Sequence, residues 1–175
     1  MFKKLNRTFE TPIYAITHGL KTFTGENTKG IDYKKIWSPE ANTIYSVLPE
    51  RYWNDFHLTI MTINTTIPPH TDTEIITTIN FYIKTDNCRT VFFEPIVENP
   101  RTFQIENQTD GYIFVEEDLR EIDSFVAKDN EVWVLDVKKI HSVEGTPTLR
   151  KAITLGTRIH NYDAVCEMLK ETGCV

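Results

Sequence analysis

Cysteine is scarce in this chain, and what there is follows no pattern. Three residues, Cys88, Cys166 and Cys174, make an odd set with no CxxC spacing. A disulfide framework and a zinc ribbon are both excluded as organising principles, and free thiols in a reducing cytosol are expected. Positive charge is also in short supply. Nineteen Lys and Arg stand against 25 Asp and Glu, leaving a formal net charge of -6 and a pI near 5.4. Counterion release from phosphates gives such a chain no general gain, so nucleic acid is a poor candidate partner. No apolar run approaches the length of a membrane span, and no membrane partner is expected. The opening Met1-Phe2-Lys3-Lys4-Leu5-Asn6-Arg7 is basic, but no apolar segment follows it. It is read as no secretion signal, which places the protein in the cytoplasm as an expectation. Repeats, low-complexity tracts and linkers are absent as well.

What is present suits a pleated surface. Thr, Ile, Val, Phe and Tyr recur with period two through much of the chain. Strands are expected over Leu58 to Thr66, Glu74 to Lys84, Thr90 to Phe93, Tyr112 to Val115, Ser124 to Ala127, Glu131 to Val137 and Leu149 to Ile159. Pro68-Pro69 should end the regular pairing of the first of these. Asp129-Asn130 is a tight-turn candidate, because Asn tolerates positive φ. A helix is expected over Asn161 to Thr172, capped by Asn161, with Val165, Met168 and Leu169 on one face. In the first ~55 residues, a helix over Pro39 to Val47 and an edge strand over Thr11 to Thr17 are the only readable elements. Many short strands and few helices predict an all-β sandwich or barrel, in a single domain over 1–175.

One constellation stands out for chemistry. In His70-Thr71-Asp72 the two outer side chains lie on the same side of a strand, so both can face one metal. His141, far along the chain, offers a second imidazole. Two imidazoles and one carboxylate suit ferrous non-haem iron and leave an open face on an octahedral ion. A surface-strand accident is the alternative for HxD alone, and a strand-end cap is the alternative for His141. Glu74 continues the same face and is read as a rim group rather than a ligand.

Arg150 follows His141 by nine positions and opens an alternating strand. One face holds Arg150, Ala152, Thr154 and Gly156; the other holds Lys151, Ile153, Leu155, Thr157 and Ile159. The second face is the apolar one and should pack beneath neighbouring structure. The first sets a long cation beside small residues, which leaves volume for a small carboxylate gripped by a two-pronged donor. An outward, solvated arginine is the bland alternative. On the strand after HxD, Thr78, Asn80, Tyr82 and Lys84 share a face, so the Tyr82 hydroxyl can join Arg150, or else bond backbone inside the core.

The run His70-Thr71-Asp72, Asn80-Phe81-Tyr82-Ile83, Val91-Phe92-Phe93-Glu94-Pro95, His141-Ser142-Val143 and Arg150-Lys151-Ala152-Ile153-Thr154-Leu155 resembles the 2-oxoglutarate/Fe(II)-dependent dioxygenases, most closely their prolyl-hydroxylase-like branch. The resemblance covers roughly residues 55 to 160; each piece is weak alone, but order and spacing agree. It implies a mainly β, double-stranded β-helix (a jelly-roll, cupin-like barrel) with a few supporting helices. It further implies that His70, Asp72 and His141 bind Fe(II), that Arg150 holds the distal carboxylate of the cosubstrate 2-oxoglutarate with help from Tyr82, and that O2 is consumed in hydroxylation. Asp86-Asn87-Cys88-Arg89 stands where relatives often have a Gly-Gly turn, Asp129-Asn130 replaces a Pro-Gly turn, and Ala152 replaces a serine. Nothing matches a residue for the C1 carboxylate; Thr62 and Asn64 are guesses.

The resemblance suggests a prolyl or other side chain of a peptide or protein as substrate, with a free amino acid or small metabolite as the alternative. A non-oxygenase metal-binding cupin is the rival fold-level reading, disfavoured by Asp at the second ligand position. A barrel that binds a partner without catalysis is another. Arg89, Arg158, His160 and Trp133 are candidates for an entrance.

Overall fold

The structure is a computed structural model and describes residues 1–8, 23–24, 31–35, 41–72, 74–103, 112–145 and 149–175. In chain order the elements are β1 (Phe2–Thr8), β2 (Phe23–Thr24), β3 (Ile31–Lys35), α1 (Ala41–Tyr45), a 3-10 segment (Glu50–Asp55), β4 (Phe56–Ile63) and β5 (Ile67–Thr71). They continue with β6 (Thr77–Lys84), β7 (Arg89–Pro95), β8 (Thr102–Phe103), β9 (Tyr112–Phe114), a short 3-10 turn (Glu116–Asp118), β10 (Leu119–Val126), β11 (Glu131–Asp136), β12 (Ile140–Glu144), β13 (Arg150–Thr157) and α2 (Tyr162–Glu171).

The strands form two antiparallel sheets, one ordered β1-β11-β6-β13-β4-β3-β2 and the other β10-β7-β12-β5-β9-β8. From β4 to β7, and again from β10 to β13, the chain changes sheet at every step. Most neighbours among these strands are therefore remote in sequence, as in β13 beside β4. This strand order is a double-stranded β-helix, the jelly roll that the resemblance implies.

Two apolar layers follow from the period-two alternation. On β6 and β13, Ile79, Phe81, Ile153 and Leu155 face outward from the seven-stranded sheet and pack with Ile44, Leu48, Val165 and Leu169 of the helical layer. Their partners in alternation, Tyr82 and Ala152, face the barrel interior with Met61, Ile63, Phe92, Phe125 and Val143. Full burial of Ile153 or Leu155 is worth about 1.5–3 kcal/mol each. The apolar face expected on Leu149 to Ile159 packs beneath the helices through Ile153 and Leu155, whereas Ile159 lies past the strand end and is exposed.

α2 begins as its sequence indicates. The Ala164 N–H donates to Asn161 Oδ1 at 2.9 Å, and Val165, Met168 and Leu169 are the buried residues. Asn130 takes φ 69°, closing the turn before β11, and Asp129 Oδ1 accepts from the Thr85 N–H and hydroxyl at 2.8 and 3.0 Å. Asp86 and Asn87 take φ 53° and 55°, and the Cys88 N–H donates to the Thr85 carbonyl at 3.0 Å, a tight turn with both central residues left-handed that carries the chain from β6 to β7 in the other sheet.

Several elements differ from expectation. Pro68 and Pro69 lie inside β5 instead of ending pairing. They fit there because β9 meets β5 only at His70 and Thr71, and the β12 register is irregular between His141 and Val143. The strand expected over Glu74 to Lys84 begins only at Thr77, and His141 sits within a strand of its own instead of at the end of β11. Of the expected early helix, Ala41–Tyr45 is helical and Ser46 and Val47 are not, while Pro39 lies outside the described residues. The edge strand expected over Thr11 to Thr17 lies outside the described residues. All three cysteines are free thiols. No helix among the described residues is long and apolar enough to cross a membrane.

Candidate metal centre

β5 and β12 are adjacent strands, and their register sets His70 directly opposite His141. The two rings stand 4.3 Å apart, centroid to centroid. Asp72, one residue past the end of β5, brings Oδ1 to 3.6 Å from His70 Nε2. One ligand atom from each of the three side chains lies within 4.8 Å of the others, the separation expected around a shared ion. The backbone beneath Asp72 is held on both sides. Its N–H donates to the Val137 carbonyl at 3.1 Å, and Lys138 Nζ donates to its carbonyl at 3.2 Å.

The imidazoles are oriented identically. His70 Nδ1 is 2.9 Å from the Pro68 carbonyl, and His141 Nδ1 is 2.9 Å from the Lys139 carbonyl. A carbonyl only accepts, so Nδ1 carries the hydrogen in both rings and Nε2 keeps its lone pair for a ligand bond. His141 is 7% exposed, and Phe92 stacks against its ring. Burial, then the proximity of His70 and the Arg150 charge, hold it down to a pKa of about 3 against the pull of the Lys139 carbonyl, so it stays neutral at physiological pH.

Arg150 lies in the barrel interior, 2% exposed. Its Nη2 donates to Tyr82 Oη and to Thr90 Oγ1, both at 2.8 Å. Its Nε and Nη1 are buried without any hydrogen-bond partner, and no acid among the described residues pairs with it. A buried guanidinium left this way is costly unless an anion completes it. The two acceptors come from both sheets, since Tyr82 is on β6 and Thr90 on β7. Sequence reading placed Arg150 and Tyr82 together but missed Thr90; its signal was its position two residues before Phe92 on the inward face of β7. Asn80 and Thr154, inward on β6 and β13, are bonded to each other at 3.0 Å. Thr78 Oγ1, on the same face, is buried and unpartnered.

Other expectations resolve individually. Glu74 is exposed and pairs with Arg158, outside the His-Asp-His cluster. Thr62 shares a side of β4 with Ile60, which packs against the helical layer, and Asn64 is exposed past the strand end; neither faces the interior. Of the entrance candidates, Arg89 is held by Glu121 and Glu144, and His160 by Asp55 at 2.8 Å. Trp133 stacks on Phe125 with centroids 4.1 Å apart, inside the barrel.

No protein-family model matches the chain, and no curated protein matches it in sequence. Among solved structures, an oxidoreductase of the 2OG-Fe(II) oxygenase family from Burkholderia pseudomallei superposes with a TM-score of 0.49 at 13% identity, over 86% of this chain and 77% of that one. Ectoine synthase from P. lautus does so at 0.41 and 8%, over 89% and 81%. Vicilin from hazelnut, Corylus avellana, gives 0.45 and 8%, over 80% and 32%, so the chain spans about a third of that protein's length. Similarity this loose bears on neither activity nor ligand, and the jelly roll described here rests on the strand order of the chain itself.

Proposed function

We infer that the protein is an Fe(II)- and 2-oxoglutarate-dependent oxygenase. The observation behind this reading is a buried Arg150 with unspent N–H groups and no acid partner among the described residues, in the same barrel as the convergent His70, Asp72 and His141. The donor set fits ferrous iron, and the orphaned guanidinium fits the distal carboxylate of the cosubstrate. Bound there, iron and 2-oxoglutarate supply oxidative decarboxylation coupled to hydroxylation of a C–H bond. The residues of the chain supply geometry. His70 and His141 present Nε2, Asp72 adds the single negative ligand, and Arg150, Tyr82 and Thr90 orient the cosubstrate. Phe92 and the surrounding apolar side chains exclude water around His141.

The primary substrate in this reading is a prolyl or other side chain of a peptide or protein. Support comes from the strand next to the centre. β9 pairs with β5 at His70 and Thr71, and Phe103 of β8, 53% exposed, lies opposite Ile113, which itself lies opposite His70. Such a rim suits an extended chain better than a sealed metabolite chamber does.

Iron content together with oxygen uptake in the presence of 2-oxoglutarate tests the reading. Asp72→Ala is expected to lose bound iron and turnover; decarboxylation at the parent rate would remove the ligand assignment. Arg150→Ala is expected to raise KM for 2-oxoglutarate about 10- to 100-fold, the loss of hydrogen bonds to a charged group. An unchanged KM rejects Arg150 as the anchor.

A further inference from the structure

The Tyr82 hydroxyl has more incoming donors than a lone contact with Arg150 would give. Tyr82 is fully buried, and its oxygen receives Arg150 Nη2–H at 2.8 Å and Asn80 Nδ2–H at 3.4 Å. Two donors occupy both lone pairs of a phenol oxygen. The phenol hydrogen then has to point elsewhere, and no acceptor among the described residues takes it. Asn80 is itself fixed, because Thr154 Oγ1–H donates to its Oδ1 at 3.0 Å and so turns the amide nitrogen toward Tyr82. All of these groups are buried, at 7% exposure for Asn80 and 6% for Thr154, where chained hydrogen bonds polarise one another and an idle donor is costly.

We propose that Asn80, held by Thr154, is a positioning residue that makes the Tyr82 hydroxyl an obligate donor to the carboxylate bound at Arg150. The inference rests on the oxygenase reading and adds to it. Without Asn80, the freed lone pair of Tyr82 no longer dictates where its hydrogen goes, and the hydroxyl rotates among weaker partners. The side chain that sets the direction does not touch the ligand. Its contribution therefore has to pass through Tyr82, and this separates positioning from simple packing.

A double-mutant cycle reads that dependence. The measurement is the dissociation constant of 2-oxoglutarate from manganese-loaded protein, taken by calorimetry, with Mn(II) in place of iron so that no turnover occurs. Asn80→Leu is expected to weaken binding about 10-fold in the parent. In the Tyr82→Phe background, which has no hydroxyl to orient, the same substitution is expected to cost less than about 2-fold. An equal loss in both backgrounds, or no loss in the parent, overturns the proposal. Should Asn80→Leu fail a thermal melt, Thr154→Val in the same two backgrounds reads the same coupling from the other end of the chain of bonds. Failure of the parent protein to bind 2-oxoglutarate would remove the oxygenase reading and this proposal with it. Binding by the parent with additive mutants removes the Asn80 role alone.

Discussion

At the scale of single residues, His141 has a consequence for stability that does not depend on catalysis. Its folded pKa lies near 3, well below the ordinary 6.5, chiefly because burial disfavours the charged ring. Between those values the unfolded chain binds a proton that the folded chain refuses. Stability therefore rises with pH through this window and is lost as the pH falls from 6.5 toward 3. For one proton the slope is at most about 1.4 kcal/mol per pH unit. Chelator-treated protein is expected to melt at a lower temperature at pH 5 than at pH 7.5, and His141→Leu to flatten that difference. A variant that keeps the full pH dependence would assign it to other groups. The strand faces that carry His70, Asp72, Arg150 and Tyr82 were legible in the sequence because i, i+2 alternation needs no tertiary knowledge. Thr90 and Asn80 were not recognised as hydrogen-bond partners of Arg150 and Tyr82, because a threonine or asparagine on a strand gains meaning only from what stands around it in the fold.

At the scale of elements, the best-read segments were those whose signals agree with one another. α2 has an Asn161 cap, an acid in its first turn, a lysine in its last and an apolar stripe, and it forms over nearly the expected span. Asn161→Ala is expected to destabilise the protein by about 1 kcal/mol, or about 2–4 °C in Tm. Differential scanning calorimetry measures it, and an unchanged Tm would mean that packing of Val165, Met168 and Leu169 alone fixes the helix start. β5 was read poorly, since two prolines argue against a strand unless one knows which backbone groups lack a partner. β1 was missed for a related reason. Its basic residues are exposed, Phe2 packs inside the barrel, and only Leu5, 2% exposed, joins the helical layer, so little alternation shows in the letters.

At the scale of the whole molecule, the barrel class follows from many short strands, but the pairing of β13 with β4 and of β12 with β5 does not. Nothing local in a sequence names the partner of a strand that lies tens of residues away. His70 and His141 become neighbours only when β5 and β12 pair, a contact between distant parts of the chain. Chains dominated by such contacts fold slowly, and a ligand cluster of this kind does not exist before they form. Added Mn(II) is therefore expected to slow unfolding and raise Tm while leaving the refolding rate unchanged, as stopped-flow fluorescence would show. Faster refolding with metal would place the cluster in the folding nucleus instead. Under the proposed oxygenase reading, the register of two strands acts as a timer: the ion arrives last, at a finished cradle, and metal supply governs how many molecules are competent without governing how many are built.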